Sequence, residues 1–313
     1  MEFRLAKNDL ALLKILAEYR ILTVTQISAL TLRSPQVIRR RLRILNKEGI
    51  LTVRARGYGR NMGRPEDLII LTEKGMGFFQ SKKNLPAPSE YIADKMVESI
   101  FVDHELLVNW FRIHLIQIER VIPVLSIEYF SSQAVPFEQG SDKPPLLLER
   151  VPSNGEQEEP TEFIPDGAFA ITQKEKEKTL LFFLEVDMGT ETIASLDRNS
   201  KDVRQKIINY QGLFSSGGYK KYEGILKSNL NGFRLLFLTN TTSRFTALCG
   251  LTQELRPSDF VWLTNQKKMF SDGLSGNIWA RGGRNNDPPQ SIVGPILACE
   301  SPTPSFRSKV KNH

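Results

Sequence analysis

Three carboxylates interrupt otherwise apolar stretches of this sequence. Asp166 follows Pro165 within Phe163-Ile164-Pro165-Asp166-Gly167-Ala168-Phe169-Ala170-Ile171, and Glu185 and Asp187 close the run Thr179-Leu180-Leu181-Phe182-Phe183-Leu184-Glu185-Val186-Asp187. Both runs read as strands, joined by a hydrophilic turn over 173–178. Residues two apart on a strand face the same way, so Glu185 and Asp187 share a face while Val186 points opposite. Where the two strands pair, Asp166 meets them. Three carboxylates converging at one end of a sheet make an oxygen-ligand site suited to Mg²⁺ or Mn²⁺. Buried carboxylates need such a partner, because an unpaired charge on an apolar sheet is costly.

The elements that must position them run in a regular order. A dense apolar stretch, 99–118, reads as a long buried helix. Strands are expected at 124–130, 163–171 and 179–187, then a helix over 193–214, a strand at 233–239, a helix near 244–255 and a strand at 260–264. That order is an α/β sandwich. Residues 136–162 are rich in Pro and Glu and read as an acidic exposed loop insertion. From 279 to 313 the chain is rich in Pro, Gly, Ser and Asn with a basic end, and reads as a disordered tail.

Pro-Asp, a hairpin, then Glu-x-Asp resembles the restriction-endonuclease-like nuclease fold, whose usual motif is Pro-Asp followed by Asp/Glu-x-Lys. Here Asp187 stands where the lysine should be. Some members of that fold carry the lysine on the following helix. Lys201 or Lys206 could serve, and Lys206 and Tyr210, four residues apart, share one helical face. The resemblance makes Asp166, Glu185, Asp187 and Lys206 the catalytic candidates of a Mg²⁺-dependent endonuclease. Asp166, Glu185 and Asp187 are its metal ligands.

The charge is carried elsewhere. Residues 1–90 hold 17 Lys and Arg against 8 Asp and Glu, a net +9, whereas residues 91–313 hold 25 against 27, a net −2. A basic module attached to a neutral body fits nucleic-acid binding. Within it, Ser34 to Gly49 reads as one amphipathic helix. Ser34 can cap it, Pro35 suits its first position and Gly49 its end. Val37, Ile38, Leu42 and Leu45 form the apolar face, leaving Arg39, Arg40, Arg43 and Lys47 on the other. A first helix reaches Tyr19 from a cap at Asn8 or Asp9, and a short second one spans 26–32. Strands at 50–54 and 67–71 flank a glycine-rich tip that carries Arg56, Arg60 and Arg64, and Thr72 starts a further helix.

This order resembles the winged helix-turn-helix family over residues 5–83. By that resemblance the third helix enters the major groove, with Gln36, Arg40 and Arg43 reading bases. Arg39, Arg54, Arg56 and Arg60 contact phosphates, and Arg64, in the Gly63-Arg64-Pro65 step, suits a narrow groove. The expected fold class is therefore α+β: a winged helix at 1–83, a proline-containing linker at 84–98 and a restriction-endonuclease-like domain at 99–278.

The two halves together are more telling. A winged helix followed by Ile-Pro-Asp-Gly-x-Phe, Phe-Leu-Glu-Val-Asp-x-Gly-Thr-Glu and Lys-Ile-x-x-Tyr resembles the replication-relaxation family of bacterial plasmids and mobile elements, over roughly 5–265. That resemblance implies a role in plasmid replication and DNA topology. Its expected partners are double-stranded DNA, plasmid replication or mobilisation proteins, and a second copy of the chain.

Composition narrows the field. No apolar run approaches the roughly 18 residues of a membrane span. Two cysteines, Cys249 and Cys299, make no disulfide scaffold or zinc site, so a cytoplasmic protein is expected. No histidine pair supports a tyrosine relaxase, and Gly57-Tyr58-Gly59 lacks the Lys-Ser/Thr of a phosphate loop. Three functions stay open: a DNA-binding accessory factor of plasmid replication, mobilisation or relaxation; a metal-dependent nicking endonuclease; and a transcriptional regulator. Asp187 in place of lysine favours the first.

Overall fold

The computed structural model describes residues 5–56, 65–83, 99–131, 147–152, 160–195 and 202–301. The expected linker at 84–98, the tip with Arg60 and Arg64, Lys201 and the chain after 301 lie outside the described residues. The rest is a mixed α+β protein in two compact units, one reaching Ile113 and the other starting at His114. Among the described residues no helix is long and apolar enough to cross a membrane.

The first unit contains α1 (Lys7–Tyr19), β1 (Ile21–Leu22), α2 (Val24–Thr31), α3 (Pro35–Lys47), β2 (Leu51–Arg54), β3 (Leu68–Leu71) and α4 (Glu73–Lys83). The strands pair antiparallel in the order β1-β3-β2. β1 has only two residues, too short to leave an alternating pattern in the sequence. Asp9 does not cap α1, which starts two residues earlier. Asp9 instead accepts the Ala6 amide at 2.6 Å and pairs, almost fully buried, with Arg41 of α3. Thr23 caps α2 in a reciprocal box with Gln26, whose buried amide also donates to the Leu106 carbonyl at 2.8 Å.

The helix α5 (Ser99–Val121) was expected to open the second domain. Its first part belongs to the first unit instead. Asn109 donates to the carbonyls of Tyr19 and Ile21 at 3.1 and 2.8 Å, Arg112 lies over the Tyr19 ring, and Val102 and Leu106 join the cluster of Ile21, Leu68 and Ile70. The reason is local: β1 and β3 leave an apolar face that the helix covers.

The second unit is built on a six-stranded mixed sheet. Its strands are β4 (Leu125–Ser131), β7 (Gly167–Gln173), β8 (Lys178–Asp187), β9 (Phe233–Thr239), β10 (Val261–Asn265) and β11 (Ala280–Arg281), in the order β11-β10-β9-β8-β7-β4. β8, β9 and β10 are parallel to one another and the other pairs are antiparallel. α6 (Val203–Ser216), a 3-10 turn (Gly218–Tyr222), α7 (Glu223–Leu226), α8 (Thr242–Glu254) and α9 (Gln266–Asp272) complete it. Phe183, Tyr210, Tyr222 and Phe233 form an aromatic centre to the core beneath α6, with ring centroids 4.9–6.1 Å apart.

Three expectations change here. The helix read from 193 starts at Val203, because Asp202 caps it by accepting the Gln205 amide at 2.8 Å. The acidic insertion is not all loop: β5 (Glu149–Val151) and β6 (Thr161–Phe163) pair antiparallel, and Leu147 enters the core. Buried Glu149 accepts the Tyr222 hydroxyl at 2.6 Å and Lys221 at 2.9 Å. Residues 279–301, expected as disordered tail, are anchored at intervals: 279–280, 282–283, 291–292 and 301 are buried, whereas 284–290 are exposed. Trp279 is fully buried, β11 extends the sheet, and the Trp279 and Gln290 backbones bond each other. Turn-type composition hid a segment anchored by a few large residues.

Burial holds the His114 side chain down to about 4, below the ordinary imidazole value. The unfolded chain therefore takes up a proton near pH 6.5 that the folded chain refuses until about pH 4. Stability from this group is full above 6.5 and lost as pH falls through that window. Between pH 8 and pH 5 the wild type is expected to lose about 2 kcal/mol more than His114→Gln, read from urea midpoints. Parallel pH profiles for the two proteins would contradict this.

Candidate functional site

Glu185 sits near the end of β8 and is buried. Both of its oxygens are engaged from α6. Tyr210 donates its hydroxyl to Oε1 at 2.7 Å, and Lys206 brings its ammonium to Oε2 at 3.2 Å. Lys206 also reaches Glu191 at 2.9 Å and is one-third exposed, at 33%. The i, i+4 spacing of Lys206 and Tyr210 is what lets one helical face hold one carboxylate from both sides. Asp166 stands just before β7, half-buried, and accepts the Val186 amide at 2.7 Å. Gly167 follows because a Cβ there would meet the Tyr129 hydroxyl at 2.2 Å.

The electrostatics follow from this enclosure. Burial pushes Glu185 up to about 7, against the pull of Lys206 and helped by the nearby charge of Asp166. Burial also opposes the Lys206 charge, but Glu185, Asp166 and Glu191 together hold it above the ordinary lysine range. Burial, then Glu185, keeps the Tyr210 phenol protonated well beyond its usual range. The group combines a carboxyl that titrates near neutrality, a fixed cation and a fixed hydroxyl donor.

Asp187 takes no part in it. Arg244 of α8 grips Asp187 with Nε and Nη2 at 2.8–3.0 Å, and Nη2 also donates to the Glu191 carbonyl at 2.6 Å. The other duty of Asp187 is to accept the Gly189 amide at 2.6 Å, closing a turn in which Gly189 has φ +76°. The expected three-carboxylate centre is therefore not formed. Among the described residues no group of three His, Cys, Asp or Glu side chains is placed to hold a metal ion. The donor set does not fit the Mg²⁺ or Mn²⁺ site read from strand period alone, because an arginine 57 residues along the chain claims one ligand. Glu191 and Arg244 are the participants that the sequence reading missed. Glu191 lay in the quoted motif, and Arg244 left no local signal.

In the first unit, α3 buries Ile38, Leu42 and Leu45 and exposes Gln36, Arg39, Arg40 and Arg43. The three arginines make no ion pair with another described residue. Val37, expected on the apolar face, is 53% exposed beside them. Arg54 is half-buried, and Arg56 is paired with Asp103 rather than free for a phosphate.

The two units thus define an α+β protein with an exposed basic helix in one and a buried carboxylate–lysine–tyrosine cluster in the other. The family model described as replication-relaxation matches residues 13–228, well over half the chain, and the chain belongs to that family. No curated protein and no solved structure matches it.

Removing the Tyr210 hydroxyl leaves Glu185 Oε1 buried without its donor, which costs about 1–3 kcal/mol. Tyr210→Phe is expected to lower the denaturation midpoint by that amount while keeping ring packing. An unchanged midpoint would show that Glu185 draws its support elsewhere.

Proposed function

We propose that the protein acts in plasmid replication and DNA relaxation by binding duplex DNA through its first unit, which works as a winged helix-turn-helix. The family membership supports the process. One observation carries the binding: α3 buries a narrow apolar stripe and turns Gln36, Arg39, Arg40 and Arg43 outward, unneutralised by described neighbours, in the part of the chain with a net +9. The turn through Leu32 to Ser34 places α3 after α2 as a reading helix follows its partner. β2 and β3 pair antiparallel, as the two strands of a winged helix do. Exposed Val37 offers an apolar contact of the kind a thymine methyl accepts.

Arg40→Ala with Arg43→Ala is expected to weaken binding to a plasmid-origin duplex at least about tenfold and to flatten the dependence of affinity on salt. Unchanged affinity and unchanged salt slope would remove α3 from the interface.

A second reading, strand nicking at the restriction-endonuclease-like second unit, is favoured by one contact. Lys206 comes from the following helix to lie beside Glu185, supplying the cation that Asp187 displaced from the strand. This reading uses two carboxylates, Asp166 and Glu185, rather than three. It expects conversion of supercoiled plasmid to open circle with added Mg²⁺ or Mn²⁺, abolished by Asp166→Ala and by Lys206→Met. Conversion that survives both substitutions, or no conversion at all, leaves the cluster a structural ion pair.

A further inference from the structure

The second unit has a groove that neither the basic helix nor the carboxylate cluster uses. It lies where β8, β9 and β10 begin, at the end of the parallel strands opposite Glu185, and encloses about 1160 Å³. That exceeds the roughly 300–1,000 Å³ of small-molecule pockets. Five cations line it, Lys174, Lys178, Lys227, Arg234 and Arg281, against two acids, Glu177 and Asp259. Asp259 is already shared between Arg281 and Arg284, at 3.2 and 2.8 Å. Lys174 spends its ammonium on the Pro123 carbonyl, which leaves its charge in place.

Arg234 is the telling residue. Its guanidinium lies 4.1 Å from the centre of the Trp262 ring and 5.9 Å from that of Phe182, and it makes no ion pair among the described residues. Burial and the neighbouring Arg281 push it down to about 10, below the ordinary arginine range. The Nε of Arg281 is itself buried with no partner. Two guanidinium groups near one another on the same sheet, Arg281 paired with Asp259 and Arg234 only stacked on rings, leave positive charge that an anion relieves. Rings suited to stacking stand on the same groove: Phe214, 40% exposed, and Phe260, whose centroids are 5.7 Å apart. Cations tracking a backbone beside aromatic faces are the physical recipe for binding a single strand.

We infer that this groove binds single-stranded nucleic acid, with a phosphate at Arg234 and a base stacked on Phe214. The choice of nucleic acid over another polyanion rests on the DNA-handling reading above. The groove's charge and shape stand without it.

The test uses the full chain carrying Arg40→Ala and Arg43→Ala, so that α3 is silenced, titrated into fluorescein-labelled dT12 and read by anisotropy. Binding is expected to persist in this background. Lys227→Glu and Arg234→Gln are each expected to weaken it about tenfold, and Phe214→Ala about fivefold or more. Circular dichroism melts check folding. Lys227 and Phe214 are exposed, so their variants decide the matter even where Arg234→Gln fails to fold. No binding of dT12, or equal binding by all three groove variants, overturns the inference. So does competition by poly-glutamate as strong as by unlabelled dT12. Duplex titration of the same α3 variant reports separately on the winged-helix reading.

Discussion

Glu185 is a carboxylate placed among Phe183, Leu184 and Val186 on the strand shared by two neighbours of the central sheet, and the second unit is arranged around making that tolerable. A lone ionised carboxylate there would be prohibitive. Tyr210 and Lys206 satisfy its two oxygens, and both come from the first two turns of α6. The start of that helix is in turn fixed by Asp202, which accepts the amides of Gln205 and Ser195. One buried acceptor thereby sets where α6 begins, which face it turns to the sheet and how the aromatic centre beneath it packs. Breaking a buried pair by removing one partner costs more than the pair contributes net, so its value lies in specifying this arrangement.

The motif Glu185-Val186-Asp187-Met188-Gly189-Thr190-Glu191 gains a mechanical meaning from this. Glu185 turns into the sheet towards α6. Val186 offers its amide to Asp166. Asp187 closes the turn onto Gly189 and is clamped by Arg244. Glu191 returns to the outer side of Lys206. Glu185 and Glu191 share Lys206 while Asp187 takes Arg244, so the run is a distributor of ion pairs and not a cage of ligands.

Much of this could be read from the residues. The strands at β7, β8 and β9 and the amphipathic α3 followed from period and caps, since those signals are local. The shared face of Glu185 and Asp187 followed from the pleat. What the pleat could not supply was competition. Arg244 reaches Asp187 across 57 residues, and no spacing rule foresees which carboxylate a distant arginine takes. The same limit hid β1, whose two residues pair only because β3 is there. It also hid β5 and β6 and the buried anchors after Trp279. Their Pro, Gly and acidic residues describe turns, while one or two buried anchors decide the outcome. Val37 erred in the other direction. Helical period put it on the apolar stripe, but the buried stripe is narrow, and Ile38, Leu42 and Leu45 fill it.

The sheet of the second unit also separates its charges. Where the parallel strands end, Lys206 lies between Glu185 and Glu191, and Arg244 holds Asp187. Where they begin, cations outnumber acids and Arg234 is matched only by rings. Apolar burial alone gives no reason for a guanidinium between Phe182 and Trp262, because a hydrophobic residue of similar volume would fill the space without a charge to desolvate. A cation kept at such a site makes sense when something anionic arrives there. On the readings proposed above, the exposed arginines of the first unit meet a duplex and the cationic, ring-lined groove of the second unit meets a single strand, DNA in its paired and unpaired forms. Replication requires passage between those forms, so the proposed groove and the proposed reading helix would serve one process.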